Sequence, residues 1–402
     1  MLICFCLGLK FPHGIDGHTM VSTQSSLYVI GGKMLVYGNI EISDSIFELN
    51  LDPNFNDVPM WTELLQKLKV PRQFVAAVIL PEDLDACQQQ SSTNAVSTTS
   101  TTDVSTTSIT DVSTTTTTAS TMSSTEPSTS SFSPSTSPVS PKGKGTLMIV
   151  GGKYDNYDHS YMIADIIDLA DEATDCQSSE YPLKVYNIQA GVLLDSSGNY
   201  HILFCGGKGR LGDVKSNCYE YVNASYGFIE TTVLHSDAAD SGSAVQIHNG
   251  NVEQQYLWIT GGVKGSLQNS VQLVSTNGSV LNGPEMPESV AFHCAVAISD
   301  KAVLIIGGYA SNPRFNNKTK IYDFESMQWN DGPELTTGRK YHACASLEMT
   351  NNWVVYVVGG DPVTDSMEWS VIDQDNSIGE WNEGTFLLLG DLQTLQTWLF
   401  NV

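Results

Sequence analysis

The sequence predicts an all-β fold, a six-bladed propeller with four antiparallel strands per blade, and three observations carry that prediction. Six short apolar runs each end in a Gly-Gly doublet, the doublets recur with a period near fifty residues, and β-branched and aromatic residues fill the runs. A Ser/Thr-rich insertion, expected to be disordered, interrupts the series once.

The runs are Leu27–Gly32, Leu147–Gly152, Ile202–Gly207, Leu257–Gly262, Val303–Gly308 and Val354–Gly360. From Gly152 to Gly360 the second glycines advance by 55, 55, 46 and 52 residues, and only the gap of 120 from Gly32 to Gly152 stands apart. A continuous apolar run bounded by turn residues suits a strand buried on both faces, as an inner strand between packed blades must be. The doublet marks the exit from that strand, where a side chain would be forbidden by conformation or by close packing.

The 120-residue gap holds the insertion. From Gln88 to Pro141 the chain is nearly all Ser and Thr, and Asp103, Asp111 and Glu126 are its only charges. Too little apolar mass is present to offset the entropy of ordering. Ser/Thr with Pro is the composition of O-glycosylated, mucin-like segments, and an inert loop expansion is the alternative. The expected organisation is therefore residues 1–87 for the first blade and the start of the second, 88–145 for the insertion, and 146–402 for the remainder.

With 19 basic and 44 acidic residues the formal charge is −25. Nucleic acid is excluded as an expected partner, because phosphate binding needs a basic surface. No run approaches the eighteen apolar residues of a membrane helix, so no membrane span is expected. The N-terminus is apolar from Leu2 to Leu9 but lacks a basic leader and a small-residue cleavage site. A strand or a truncated signal fits equally well.

Around the doublets the chain resembles the kelch-repeat family. The fifth unit has His293, Val303–Gly308, Ile321-Tyr322-Asp323 and Trp329; the sixth has His342, Val354–Gly360, Val371-Ile372-Asp373 and Trp381. The first unit matches more loosely through His18, Phe47–Asn50 and Trp61. With strands named a to d from the channel outward, the doublet ends strand b. The b–c and d–a loops then share one face of the disc, and the resemblance implies that this face carries the ligand.

Basic residues gather in those loops. Lys33, Lys153 and Lys208 directly follow their doublets and Lys264 follows one residue later; Arg210 and Arg314 lie in b–c loops, and Arg72 and Arg339 in d–a connections. These eight form the expected binding face, for a protein or an acidic glycan. Local pairing with Asp155, Asp158, Asp213 or Asp365 is the alternative.

No catalytic fingerprint is present, so a non-catalytic interaction module is expected, acting as a monomer without cofactor or metal. A propeller enzyme, oxidase-like or sugar-modifying, with its site at the channel mouth is the alternative of a different class. Kelch-like copper-radical oxidases use a Tyr/Tyr/His/His copper site, which nothing here marks. His18, His293 and His342 are expected to be structural, because equivalent atoms in adjacent blades are too far apart to share a metal at ~2 Å.

Cys205, Cys218, Cys294 and Cys344 fall in expected strands and read as small buried thiols. Cys87 and Cys176 fall in loop-like sequence and are expected to form a disulfide at the base of the insertion, which places the protein outside the cell, with a cytoplasmic location as the alternative. Sequons occur at Asn223, Asn277 and Asn317, at a frequency that chance explains in so Ser/Thr-rich a chain.

Overall fold

A computed structural model describes residues 3–7, 10–52, 59–81, 145–155, 159–170, 176, 179–235, 242–248, 255–299, 301–348, 352–373 and 376–389. The described chain is all-β and propeller-like, built on six antiparallel sheets of four strands in the order a-b-c-d. Sheet one comprises Thr19–Ser22, Ser26–Ile30, Ile46–Asn50 and Trp61–Glu63. Sheet two comprises Ala76–Leu80, Thr146–Val150, Ile163–Asp168 and Ser179–Glu180. Sheet three runs through Gln189–Leu194, Tyr200–Cys205, Asn217–Asn223 and Gly227–Val233. Sheet four is Ser243–His248, Gln255–Thr260, Val271–Ser275 and Val280–Asn282. Sheet five is Cys294–Ser299, Ala302–Ile306, Thr319–Asp323 and Gln328–Asp331. Sheet six is Ala343–Glu348, Trp353–Val358, Met367–Ile372 and Asn382–Glu383.

Burial follows strand position. The b strands are almost wholly buried, whereas strand d of sheets five and six is largely exposed. The reason lies in the packing: six apolar cores each join two consecutive sheets. One of them unites Met20, Leu27, Val29 and Phe47 of sheet one with Ala345, Val354, Tyr356 and Trp369 of sheet six. The N-terminal strand Ile3–Leu7 does not extend sheet six; it pairs with Thr385–Leu389 in a separate two-stranded ladder.

The doublets do what the sequence expects of them. All twelve glycines follow a b strand with φ between +58° and +113°. The second glycine also reaches the next sheet. Its amide donates to a d–a carbonyl in the pairs Gly32–Arg72 (2.9 Å), Gly152–Val185 (2.9 Å), Gly262–Val290 (2.8 Å), Gly308–Arg339 (2.8 Å) and Gly360–Ile15 (2.8 Å). The last pair ties sheet six to sheet one by the bond used elsewhere. Ser22 Oγ adds a bond of 2.9 Å to the Ser346 carbonyl.

A Cβ at Gly359 would lie 2.4 Å from the Ile15 carbonyl oxygen. Gly359→Ala is therefore expected to cost roughly 2–3 kcal/mol, from left-handed backbone strain plus overpacking. Gly38, with φ +84° but open space around it, is the control; Gly38→Ala should lose only about 1 kcal/mol. Denaturant midpoints compare the two, and equal losses would remove the packing argument.

The cysteine reading needs correction. Cys205 is bonded to Cys218 with 4.0 Å between α-carbons, and Cys294 to Cys344 with 5.9 Å. The first pair sits opposite in the b–c ladder of sheet three, and the second staples strand a of sheet five to strand a of sheet six. Cys176 is buried and disulfide-bonded, while Cys87 and residues 88–144 of the expected insertion lie outside the described residues.

Candidate functional site at the mouth of the central cavity

The a strands of all six sheets line a central cavity of about 230 Å³. Its mouth on the b–c/d–a face is narrowed by Gly17, Phe74, Asn187, Phe292 and Tyr341, each two residues ahead of a first strand. All five have φ between +54° and +63°. Four of these residues are not glycine, so the strain must be held by neighbours. A backbone chain supplies the hold. Tyr341 donates to Phe292 (3.1 Å), Gly17 to Tyr341 (2.9 Å), Phe74 to Gly17 (2.7 Å) and Asn187 to Phe74 (3.0 Å).

This girdle brings aromatic rings together. Phe292 and Tyr341 have centroids 4.4 Å apart, Phe74 and Tyr341 5.2 Å, and Phe74 and Tyr186 6.3 Å. Gly17 makes the second approach possible, since a Cβ there would meet the Phe74 ring at 3.0 Å.

Outside the girdle lies a second tier, in which the residue after five of the six doublets pairs with a d–a residue, while Val263 after the fourth pairs with Leu267 of its own loop. The described pairs are Lys33 with Asp16, Lys153 with Gln73, Lys208 with Tyr186, Tyr309 with Ala291, and Asp361 with Lys340. Sheets one and six carry the same ion pair with its charges exchanged: Lys33–Asp16 at 3.8 Å and Lys340–Asp361 at 3.2 Å. The Lys153 ammonium stands 4.4 Å from the Tyr186 centroid and 5.4 Å from Phe74. That of Lys340 lies 4.8 Å from Tyr341 and 5.4 Å from both Tyr309 and Phe315. Such contacts hold a cation against a ring face, in the case of Lys340 in addition to its pairing with Asp361.

The eight expected face residues divide. Lys33, Lys153 and Lys208 occupy equivalent positions on three consecutive sheets. Lys264, Arg210 and Arg314 are exposed in their b–c loops. Arg72 and Arg339 are corrected: both are fully buried and cannot meet a ligand. Arg72 is ion-paired with Asp165 at 2.7 Å, and Arg339 with Glu368; each carboxylate sits at the same register of a c strand. Of the sequons, Asn223 and Asn277 lie at c–d turns on the opposite face, and Asn317 in a b–c loop.

Residues that the sequence reading passed over complete the mouth: Asp16, Phe74, Tyr186, Phe292 and Tyr341, beside Lys340, which the sequence places in a d–a connection. The repeated dipeptides Phe292-His293 and Tyr341-His342 were the available signal. Burial raises the Asp16 carboxyl, Lys33 opposes the rise, Asp361 adds to it and Lys340 opposes it. Its Oδ1 accepts no hydrogen bond.

His18, His293 and His342 are buried in the cavity wall. The Thr260 hydroxyl donates to the Ser243 carbonyl at 3.1 Å, so it accepts from His293 Nε2 at 2.8 Å. Burial lowers His18 and His293 to about 3 and His342 well below its ordinary value, with Arg339 a further depressing charge on His18 and His342. Among the described residues no group of three His, Cys, Asp or Glu side chains is placed to hold a metal.

The unfolded chain therefore binds protons below pH 6.5 that the folded chain refuses, and stability falls as pH falls from 6.5 towards 3. His293→Gln should remove up to about 1.4 kcal/mol per pH unit of that slope. Asp16, whose carboxyl burial raises above its ordinary value, works in the opposite sense, and because variant and wild type share it the difference between their profiles reports on His293. Parallel pH profiles of melting for the variant and the wild type would refute a neutral buried imidazole.

No protein-family model matches the chain, and no curated protein does. Among solved structures 225 chains match. One is the structure of YjhT, with a TM-score of 0.58 at 11% identity, covering 94% of this chain and 100% of that one. At that identity the likeness shows the fold alone.

Proposed function

We propose that the chain is a closed six-bladed propeller of the kelch kind, acting outside the cell as a non-catalytic module that binds an acidic ligand, protein or glycan, at the channel mouth. Closure is supported by the core shared between sheets six and one and by the Gly360–Ile15 bond. An extracellular location is supported by two described disulfides, which persist in oxidising compartments.

The observation that carries the binding reading is the mouth itself. Lys33, Lys153 and Lys208 form an arc on three adjacent sheets beside a cluster of aromatic rings, in a protein of charge −25. Aromatic faces give area at little entropic cost, and the lysines add attraction for carboxylate or sulfate. A glycan array with acidic sugars and a pull-down of protein partners, run with wild type and with Lys153→Glu plus Lys208→Glu, test this reading. An acidic ligand should lose at least tenfold in affinity in the variant and weaken with salt. Undiminished binding would show that the arc is a set of local contacts.

A second reading, an enzyme at the same mouth, is favoured by Asp16, whose raised carboxyl is the kind of perturbed group that active sites use. Turnover of a captured sugar that Asp16→Asn abolishes would decide for it.

A further inference from the structure

A second concavity lies on the same face but off the axis, between the loops of sheets two and three. Met162, Pro182, Leu183 and Leu211 give it aliphatic walls, and Lys184, Arg210, Lys215 and Asp213 give it charge; its volume is about 570 Å³. Three bases against one acid is a local inversion of a chain with more than twice as many acids as bases.

The one acid is already engaged. Asp213 pairs with Lys215, and its Oδ1 lies within 2.3 Å of where a Cβ on Gly209 would sit, so the turn is folded over its own carboxylate. The turn is closed by bonds from Gly209 N to Asp213 O (2.9 Å) and from Gly212 N to Gly209 O (3.0 Å). Arg210 and Lys184 are exposed and have no ion-pair or hydrogen-bond partner among the described residues. At the tip, Leu211 is 94% exposed.

We propose that this groove is a binding site for a peptide segment of a protein partner that presents a carboxylate side chain next to an aliphatic one. The carboxylate would be held by Arg210, whose planar fork suits it, with Lys184 adding charge. The aliphatic side chain would lie against Leu183, Pro182 and Met162 and cover Leu211. A glycan fits less well, because no aromatic ring lines the groove, in contrast to the axial mouth.

The test is selection of a random heptapeptide phage library on the immobilised full chain. Enriched peptides should carry Asp or Glu beside Leu, Ile or Met. Their affinity should fall at least tenfold in Arg210→Glu with Lys184→Glu and severalfold in Leu211→Ser, all three positions being exposed and so neutral to folding. Lys301→Glu, on the opposite face, should change nothing. Failure to enrich acidic peptides, or acidic peptides that bind the groove variants normally, would overturn the proposal. Acidic peptides lost only with Lys153→Glu and Lys208→Glu would also overturn it and place recognition at the axis; loss in the groove variants alone leaves the axial reading to its own test.

Discussion

Arg339→Met is expected to destabilise the fold by about 3–5 kcal/mol, because it leaves Glu368 as a buried carboxylate without its counter-charge. The guanidinium makes more than the ion pair. Its Nη1 donates to the Gly359 carbonyl at 2.7 Å and its Nη2 to Ser366 Oγ at 3.0 Å, so it clamps the doublet of sheet six from beneath. Glu368 Oε2 in turn accepts from the Thr336 amide at 2.7 Å. Arg339→Met with Glu368→Met should recover a large part of the loss, since an apolar pair of similar volume avoids desolvating two charges. Denaturant unfolding of the three variants measures the coupling. A single-variant loss under 1 kcal/mol would mean that the pair is solvated and that Arg339 belongs to the surface after all.

Loss of the Cys294–Cys344 bridge is the second large effect. The residues are 50 apart in sequence, for which loop-closure entropy gives about 4 kcal/mol, against about 3 for Cys205–Cys218 with a separation of 13. The longer bridge also joins two neighbouring sheets at the cavity wall, whereas the shorter one stays within a sheet. Cys294→Ala with Cys344→Ala should therefore lower the melting temperature more than Cys205→Ala with Cys218→Ala. Reductant should bring the wild type down towards the variants. A wild type indifferent to reductant, with Cys205, Cys218, Cys294 and Cys344 all mapped as free thiols by mass spectrometry, would contradict the bridges and with them the extracellular reading.

What the sequence made legible was set by local chemistry. Each doublet needs glycine for its own backbone, so its position announced the end of strand b, and the loop faces followed. Trp329 duly lies in strand d of sheet five. The fate of Arg72 and Arg339 was not legible in the same way, because a d–a base looks alike whether it meets solvent or a carboxylate from the third strand. Asp165 and Glu368, acids in the interior of otherwise apolar strands, were the trace of it. The cysteine pairs depend on cross-strand register and on which sheets pack together, neither of which a strand pattern states. The girdle is harder still: positive φ at Phe74, Phe292 and Tyr341 is imposed by hydrogen bonds between sheets, and no propensity of Phe or Tyr foretells it.

The proposed ring closure rests on one bonding scheme, repeated from sheet to sheet, that also builds the mouth. Amide hydrogen exchange at Gly17 and Gly360, two of the donors that bridge sheets six and one, tests it most directly. Both are expected to exchange as slowly as Gly32 and Gly308, only through unfolding of the whole ring. Exchange at Gly17 and Gly360 orders of magnitude faster than at Gly32 and Gly308 would show an open seam and contradict it.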